Sequence, residues 1–188
     1  MTLSPDPAPV SAPRVPTFCR LVVMGVAGSG KTTLGRLLAA HLHWSFLDAD
    51  NCHDAAALAQ MARGEGLSEA QREPWLRRVR AALEAQDHAV LACSALTRAA
   101  RDHLRGAGVR FLCLVASPEL LRARLSARQG HPVGPELLPS QFRALEAPTA
   151  EETDVVSLPV APDDSPADLL KRAVDLLKPH SPAEPRHA

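Results

Sequence analysis

The chain has no apolar stretch long enough to span a bilayer or to serve as a signal peptide, so no membrane role is expected and the expected location is cytoplasmic. It also has no excess charge of either sign. Its 21 basic and 21 acidic residues cancel, which gives no general attraction to nucleic acid or to an anionic surface. Cys19, Cys52, Cys93 and Cys113 form no C-x-x-C pair, and three of them lie in or beside apolar runs. Buried free thiols are therefore expected in place of a disulfide or a metal site. Lysine is scarce: Lys31, Lys171 and Lys178 stand against eighteen arginines. No internal repeat is present.

A length of 188 residues suits one compact domain. Residues 1–17 hold five prolines and little apolar periodicity, and residues 179–188 are similar, so both read as disordered tails around a single domain at 18–178. Within that domain short apolar strands alternate with helices. Strands are expected near 19–24, 44–47, 88–93, 109–115 and 155–158, with helices near 31–43, 97–104, 118–128, 139–146 and 166–178. A helical region at 54–86 is interrupted by Gly64-Glu65-Gly66. This alternation implies an α/β three-layer sandwich with a parallel sheet covered on both faces. Ligands of such sheets sit at the carboxyl ends of the strands. Helical inserts at about 51–86 and 129–146 are placed to act there as substrate clamp and lid.

The most specific signal follows the first strand. Residues Gly25-Val26-Ala27-Gly28-Ser29-Gly30-Lys31-Thr32-Thr33 fit G-x-x-x-x-G-K-[ST], the loop that wraps a nucleotide's phosphates. Glycines let successive main-chain N–H groups converge on phosphate oxygens, and the helix starting near Lys31 aims its positive end at the same point. Lys31 adds a full charge near the β- and γ-phosphates, and Thr32 offers a hydroxyl to Mg²⁺. A nucleoside triphosphate is the expected ligand.

Other pieces narrow the class. No Asn-Lys pair occurs, which excludes the N-K-x-D motif of guanine-specific GTPases, and the longer signatures of motor or transporter ATPases are absent. A small-molecule kinase plan remains. Asp48 and Asp50, two apart after the second strand, present carboxylates to one side. One suits a metal ion, directly or through water, and the other suits an acceptor hydroxyl whose proton leaves late in transfer. The weaker alternative for each is a solvated loop or helix-capping acid. Arg124 and Arg128 share one helical face and either neutralise the moving phosphoryl group or form a solvated basic stripe.

Several longer strings carry a resemblance: MGVAGSGKTT (24–33), FLDAD (46–50) followed by His53, MARGEGLSEAQREPWL (61–76), LACSALTRAARDHLR (91–105), ARLSARQGH (123–131), LLPSQFRALEAP (137–148) and ETD (152–154). With these the chain resembles gluconokinases of the small P-loop type, relatives of shikimate kinase, from about Leu21 to Val156. The resemblance implies the P-loop kinase fold and ATP-dependent phosphorylation of D-gluconate at its 6-hydroxyl, with Mg²⁺ required. It also implies a homodimer. Under it, Asp50 faces the reactive hydroxyl, Thr32 and Asp48 organise the metal, and Arg124 and Arg128 act from the lid. Arg72 and Arg101 suit the carboxylate or hydroxyls of the sugar acid, because guanidinium forks bind carboxylates in bidentate fashion. His53 and His131 are further polar candidates for the substrate, and Ser94 is a weaker one. Trp75 is either a pocket wall or core.

The chain departs from the family pattern in the clamp. Asp54, Ala57 and Gln60 stand where Pro, Asn and Lys are usual, Gly66 replaces Pro, Gln71 replaces Asp, and Ala100 replaces an aromatic residue. None of these lies in the phosphate loop. Two rival functions therefore stay open: a kinase for another small polyhydroxy acid, and a nucleotide-sensing module without transfer activity.

Overall fold

The computed structural model describes residues 18–127 and 134–178. The expected tails, together with Arg128 and His131, lie outside the described residues. Five strands form one parallel sheet: β1 (Arg20–Met24), β2 (Ser45–Asp48), β3 (Ala89–Ala92), β4 (Val109–Val115) and β5 (Val155–Pro159). Their spatial order is β2-β3-β1-β4-β5. Central β1 is hydrophobic throughout Leu21–Met24 and fully buried there, as a strand covered on both faces must be.

Seven helices connect and cover the sheet: α1 (Lys31–Leu42), α2 (Ala55–Ala62), α3 (Glu69–Glu84), α4 (Arg98–Leu104), α5 (Pro118–Ala127), α6 (Leu138–Ala144) and α7 (Pro166–Leu177). Trp75, Val79 and Leu83 of α3 and Leu104 of α4 pack on one sheet face with Val22, Leu91 and Phe111. Leu34 and Leu38 of α1 and Leu169 and Ala173 of α7 pack on the other with Leu21, Val23 and Leu112. The three layers are those expected from the alternation. A third apolar cluster joins the phosphate loop to α5 and α6 through Val26, Leu121, Leu125 and Leu138.

The element boundaries fall close to the expected ones. The helical stretch at 54–86 resolves into α2 and α3, and a 3-10 turn at Ala49–Cys52 was not foreseen. Val79 and Leu83 are buried against the sheet, so the second half of α3 is scaffold and only its first half can serve as clamp. Both helices start on local caps: Asp54 Oδ1 accepts from Ala57 N at 2.8 Å, and Ser68 and Gln71 form a reciprocal capping box. Cys93 and Cys113 are buried free thiols, while Cys19 and Cys52 are half-buried. Burial pushes the Cys93 thiol up to about 12. No helix among the described residues is long and apolar enough to cross a membrane.

Parallel pairing gathers the strand ends. Asp48 is level with Ala92, Met24 with Cys113 and Val115 with Pro159, so every loop leaving a carboxyl end opens on one rim.

Candidate active site

The loop after β1 turns at Gly25, whose φ of +139° and 2.7 Å clearance between an added Cβ and the Leu114 carbonyl oxygen admit no side chain. Gly25 N donates to Ser94 O at 3.2 Å, tying the loop to the end of β3. Gly30 enters α1 at φ +97°, and the space beside it is open: an added Cβ would meet nothing within 4 Å. No side chain caps the first turn of α1, which leaves its N-terminal end facing the cleft, where a phosphate is stabilised by N–H groups and helix dipole together. Lys31 Nζ donates to Val26 O at 3.1 Å, so the ammonium lies across the loop mouth. Ser29 is fully buried, and its hydroxyl has no hydrogen-bond partner among the described residues.

Asp48 ends β2 and performs two tasks at once. Its Oδ2 accepts from Thr32 Oγ1 at 3.1 Å, and its Oδ1 accepts from Asp50 N at 3.1 Å. The capping role and the functional position thus coincide. Thr32 and Asp48 offer oxygen donors only, a set that suits a hard cation such as Mg²⁺. No group of three or more acidic, His or Cys side chains among the described residues could hold a metal ion by itself. A cation at this site would therefore be shared with a triphosphate. Asp50, on the following turn, is exposed to the cleft.

The cleft encloses about 610 Å³ between two ends: Asp50, His53 and Ser94 at one, Arg124, Asp164 and Pro166 at the other, with Gly30 to Thr33 between them. A smaller cavity of about 70 Å³ adjoins the first end, shares His53, Ser94 and Gln141 with it, and is walled further by Arg72 and Trp75. Trp75 is 5% exposed, donates from Nε1 to Ala49 O at 2.9 Å and stacks flat on His53, with ring centroids 4.5 Å apart and planes 6° apart. The indole is thus both core and the support that orients His53. Burial holds the His53 pKa below its ordinary 6.5 against the opposing pull of Asp50, so the ring is neutral at pH 7. Its Nδ1 is buried with no partner among the described residues.

A family model described as "AAA domain" matches residues 21–148. The gluconokinase of Gluconobacter oxydans is 42% identical over 138 residues, covering 70% of this chain and 78% of that protein. The thermosensitive gluconokinase of Escherichia coli is 39% identical over 148 residues, covering 76% of this chain and 79% of its own length. The chain belongs to the gluconokinase family. A solved gluconokinase from Sinorhizobium meliloti superposes with a TM-score of 0.77 at 32% identity, covering 87% of this chain and 93% of the other. A shikimate kinase from Acinetobacter baumannii, 18% identical with a TM-score of 0.54, shares the fold.

Within this gluconokinase-family site, one expected substrate contact is corrected. Arg101 is fully buried away from both cavities. Its Nε and Nη2 donate to the two carboxylate oxygens of Glu152 at 2.8 and 2.7 Å, and its Nη1 reaches the carbonyl oxygens of Ala95, Leu96 and Glu146. A guanidinium so buried and so engaged is out of a sugar acid's reach. Arg105 also bonds Glu152, and these cations hold the Glu152 carboxyl down at about 2, with Arg101 the chief cause. The arginine was legible and its partner was not, because the pair is 51 residues apart in sequence.

The other candidates gather where expected. Lys31, Thr32, Thr33, Asp48, Asp50, His53 and Arg124 line the larger cleft, and Arg72 and Trp75 the smaller cavity. Arg124 faces the rim, and its charge contributes to lowering the Asp164 pKa, after the bonds Asp164 makes to Ala161 N and Arg172. The sequence reading missed Gln141, whose side chain touches the phosphate loop. Its only signal was the Ser140-Gln141-Phe142 string.

Proposed function

We propose that the chain transfers the γ-phosphoryl group of ATP to the 6-hydroxyl of D-gluconate, giving 6-phospho-D-gluconate and ADP. The observation that carries this reading is the continuity of the two cavities: the phosphate loop with Lys31 and Asp50 borders the larger, Arg72 and Trp75 border the smaller, and His53, Ser94 and Gln141 line both. Main-chain amides of the loop and Lys31 grip the β- and γ-phosphates, and the base end of the nucleotide extends towards Arg124 and Pro166. Arg72 pairs with the sugar acid's carboxylate, and neutral His53 bonds a hydroxyl. Asp50 orients the 6-hydroxyl, whose oxygen forms the new bond to phosphorus as the bond to the β-phosphate oxygen breaks. Its proton passes late to Asp50 and then to solvent.

Thr32 and Asp48 would hold Mg²⁺ together with the triphosphate, and the ion would supply charge neutralisation of its oxygens. Arg124 adds positive charge from α5, and the same role falls to Arg128. His131 completes the substrate set. The family resemblance alone supports a homodimer.

Of the altered residues, Gly66 and Ala100 line the smaller cavity and Gln71 does not. Asp54, Ala57 and Gln60 line neither cavity. Asp54 caps α2, and Gln60 bonds Gly66 O and Gln71. Purified full-length protein with ATP, Mg²⁺ and a panel of sugar acids tests the proposal. Phosphate gained by gluconate at the highest kcat/KM is expected. Transfer to another acid with none to gluconate, or ATP turnover independent of every acceptor, would overturn it.

A further inference from the structure

Gln141 sits on the second turn of α6, and its Oε1 accepts from Ala27 N at 2.6 Å. Ala27 belongs to the phosphate loop, so a side chain 114 positions away is fastened directly to the donor site. Because the partner is an N–H donor, the orientation of the carboxamide is fixed with oxygen on the loop and Nε2 at the opposite end. Gln141 lines both the larger cleft and the smaller cavity. Its Nε2 has no hydrogen-bond partner among the described residues. The contact is backed by packing, since Leu138 of α6 and Val26 of the loop share one apolar cluster that Phe142 joins. The exit of α6 is pinned as well: Glu146 N donates to Leu96 O at 2.9 Å, and Glu146 Oε2 accepts from Arg98 N at 2.5 Å.

We infer that Gln141 is a positioning residue that couples donor loop to acceptor pocket: Oε1 holds the Ala27 amide while Nε2 donates to a hydroxyl of the polyhydroxy acceptor. This deepens the proposed function and rests on it. The carboxamide suits the task because its two ends have opposite hydrogen-bonding character on one rigid plane. A loop held against the pocket that orders the acceptor keeps the reacting oxygen and phosphorus in register, and misplacement of such groups is costly in rate. An uncharged group does this without opposing the triphosphate's negative charge.

Two variants of the full chain separate the ends. Gln141→Met keeps length and packing and loses both bonds, whereas Gln141→Glu keeps an acceptor for Ala27 N and loses the donor. Hydrogen exchange of a peptide covering 24–30, measured without ligand, is expected to quicken in Gln141→Met and to stay protected in Gln141→Glu. Steady-state assays are expected to show kcat/KM for gluconate lowered roughly tenfold or more in both, the scale of one lost hydrogen bond. The KM for MgATP in Gln141→Met is expected to stay within about threefold of the parent, a split that general loosening of the fold would not give. Unchanged exchange in Gln141→Met overturns the inference, and so does gluconate kcat/KM within twofold of the parent. Should Gln141→Met fail to fold, judged by circular dichroism, the uncharged Gln141→Leu takes its place in both the exchange and the gluconate measurements. A parent protein that phosphorylates no gluconate sinks the proposed function instead, and the exchange experiment still reads the Ala27 contact.

Discussion

Lys31 rests its ammonium on Val26 O at 3.1 Å, a neutral acceptor that a triphosphate can replace with far stronger charge-assisted bonds. Lys31→Ala is therefore expected to lower kcat by about 10²-fold or more, the scale seen when a preorganised charge partner is removed. Circular dichroism should show the fold intact, because Lys31 opens α1 at the cleft and lies outside the buried core. Near-normal turnover would show that the loop does not hold the reacting phosphate. At this scale the site was legible wherever the chemistry is local in sequence. Gly25 to Thr33 form one contiguous motif, and Asp48 ends a strand with Asp50 on the turn directly after it. It was illegible where a role depends on a distant neighbour. Arg101 offered the right group for a sugar acid, but Glu152 had already claimed it. Trp75 likewise resolved into support only once Ala49 and His53 were seen against it.

Between α2 and α3 the chain closes on itself through side-chain amides. Gln60 Nε2 donates to Gly66 O at 3.0 Å, Gln71 Nε2 donates to Gln60 Oε1 at 2.9 Å, and Ser68 N donates to Gln71 Oε1 at 2.9 Å. Gln60 and Gln71 replace two residues of opposite charge in the family pattern, and they replace them as a bonded pair. A double-mutant cycle of Gln60→Ala and Gln71→Ala, read by urea unfolding, is expected to give a coupling of about 0.5–1 kcal/mol, the worth of a hydrogen bond exposed to water. Acceptor KM should move less than about threefold, because Gln60 and Gln71 border neither cavity. Additive effects would show the amides to be independent. The elements themselves were readable from apolar runs and breakers, but the order β2-β3-β1-β4-β5 was not, since helical connections place successive parallel strands on either side of β1 with equal ease. The turn at Ala49–Cys52 escaped notice because its cap, Asp48, also reads as a site residue.

Across the whole molecule, Arg101 and Glu152 join three regions: α4, the approach to β5, and the segment at Glu146 that leaves α6. Both side chains are 1% exposed, so water screens the pair little. The Glu152 pKa falls from the ordinary 4.5 to about 2 on folding. A depressed carboxyl pKa favours the folded state above the unfolded value, here by on the order of 3 kcal/mol at neutral pH, and that share disappears as pH drops through the folded value. Unfolding monitored between about pH 4.5 and pH 2 is expected to show this decline. In Glu152→Gln the component is absent, and neutral-pH stability is lower by about 3–5 kcal/mol because Arg101 keeps its charge without a counter-ion. A variant matching the parent at every pH would show that the pair is not held in the folded protein.

The scarcity of lysine gives the geometry of Lys31 a practical use. Only three side-chain amines exist in the chain, and just one of them, Lys31, borders the cleft. An acylating reagent followed by mass spectrometry thus becomes a near-direct gauge of occupancy, with Lys171 and Lys178 as internal references on α7 and at its end.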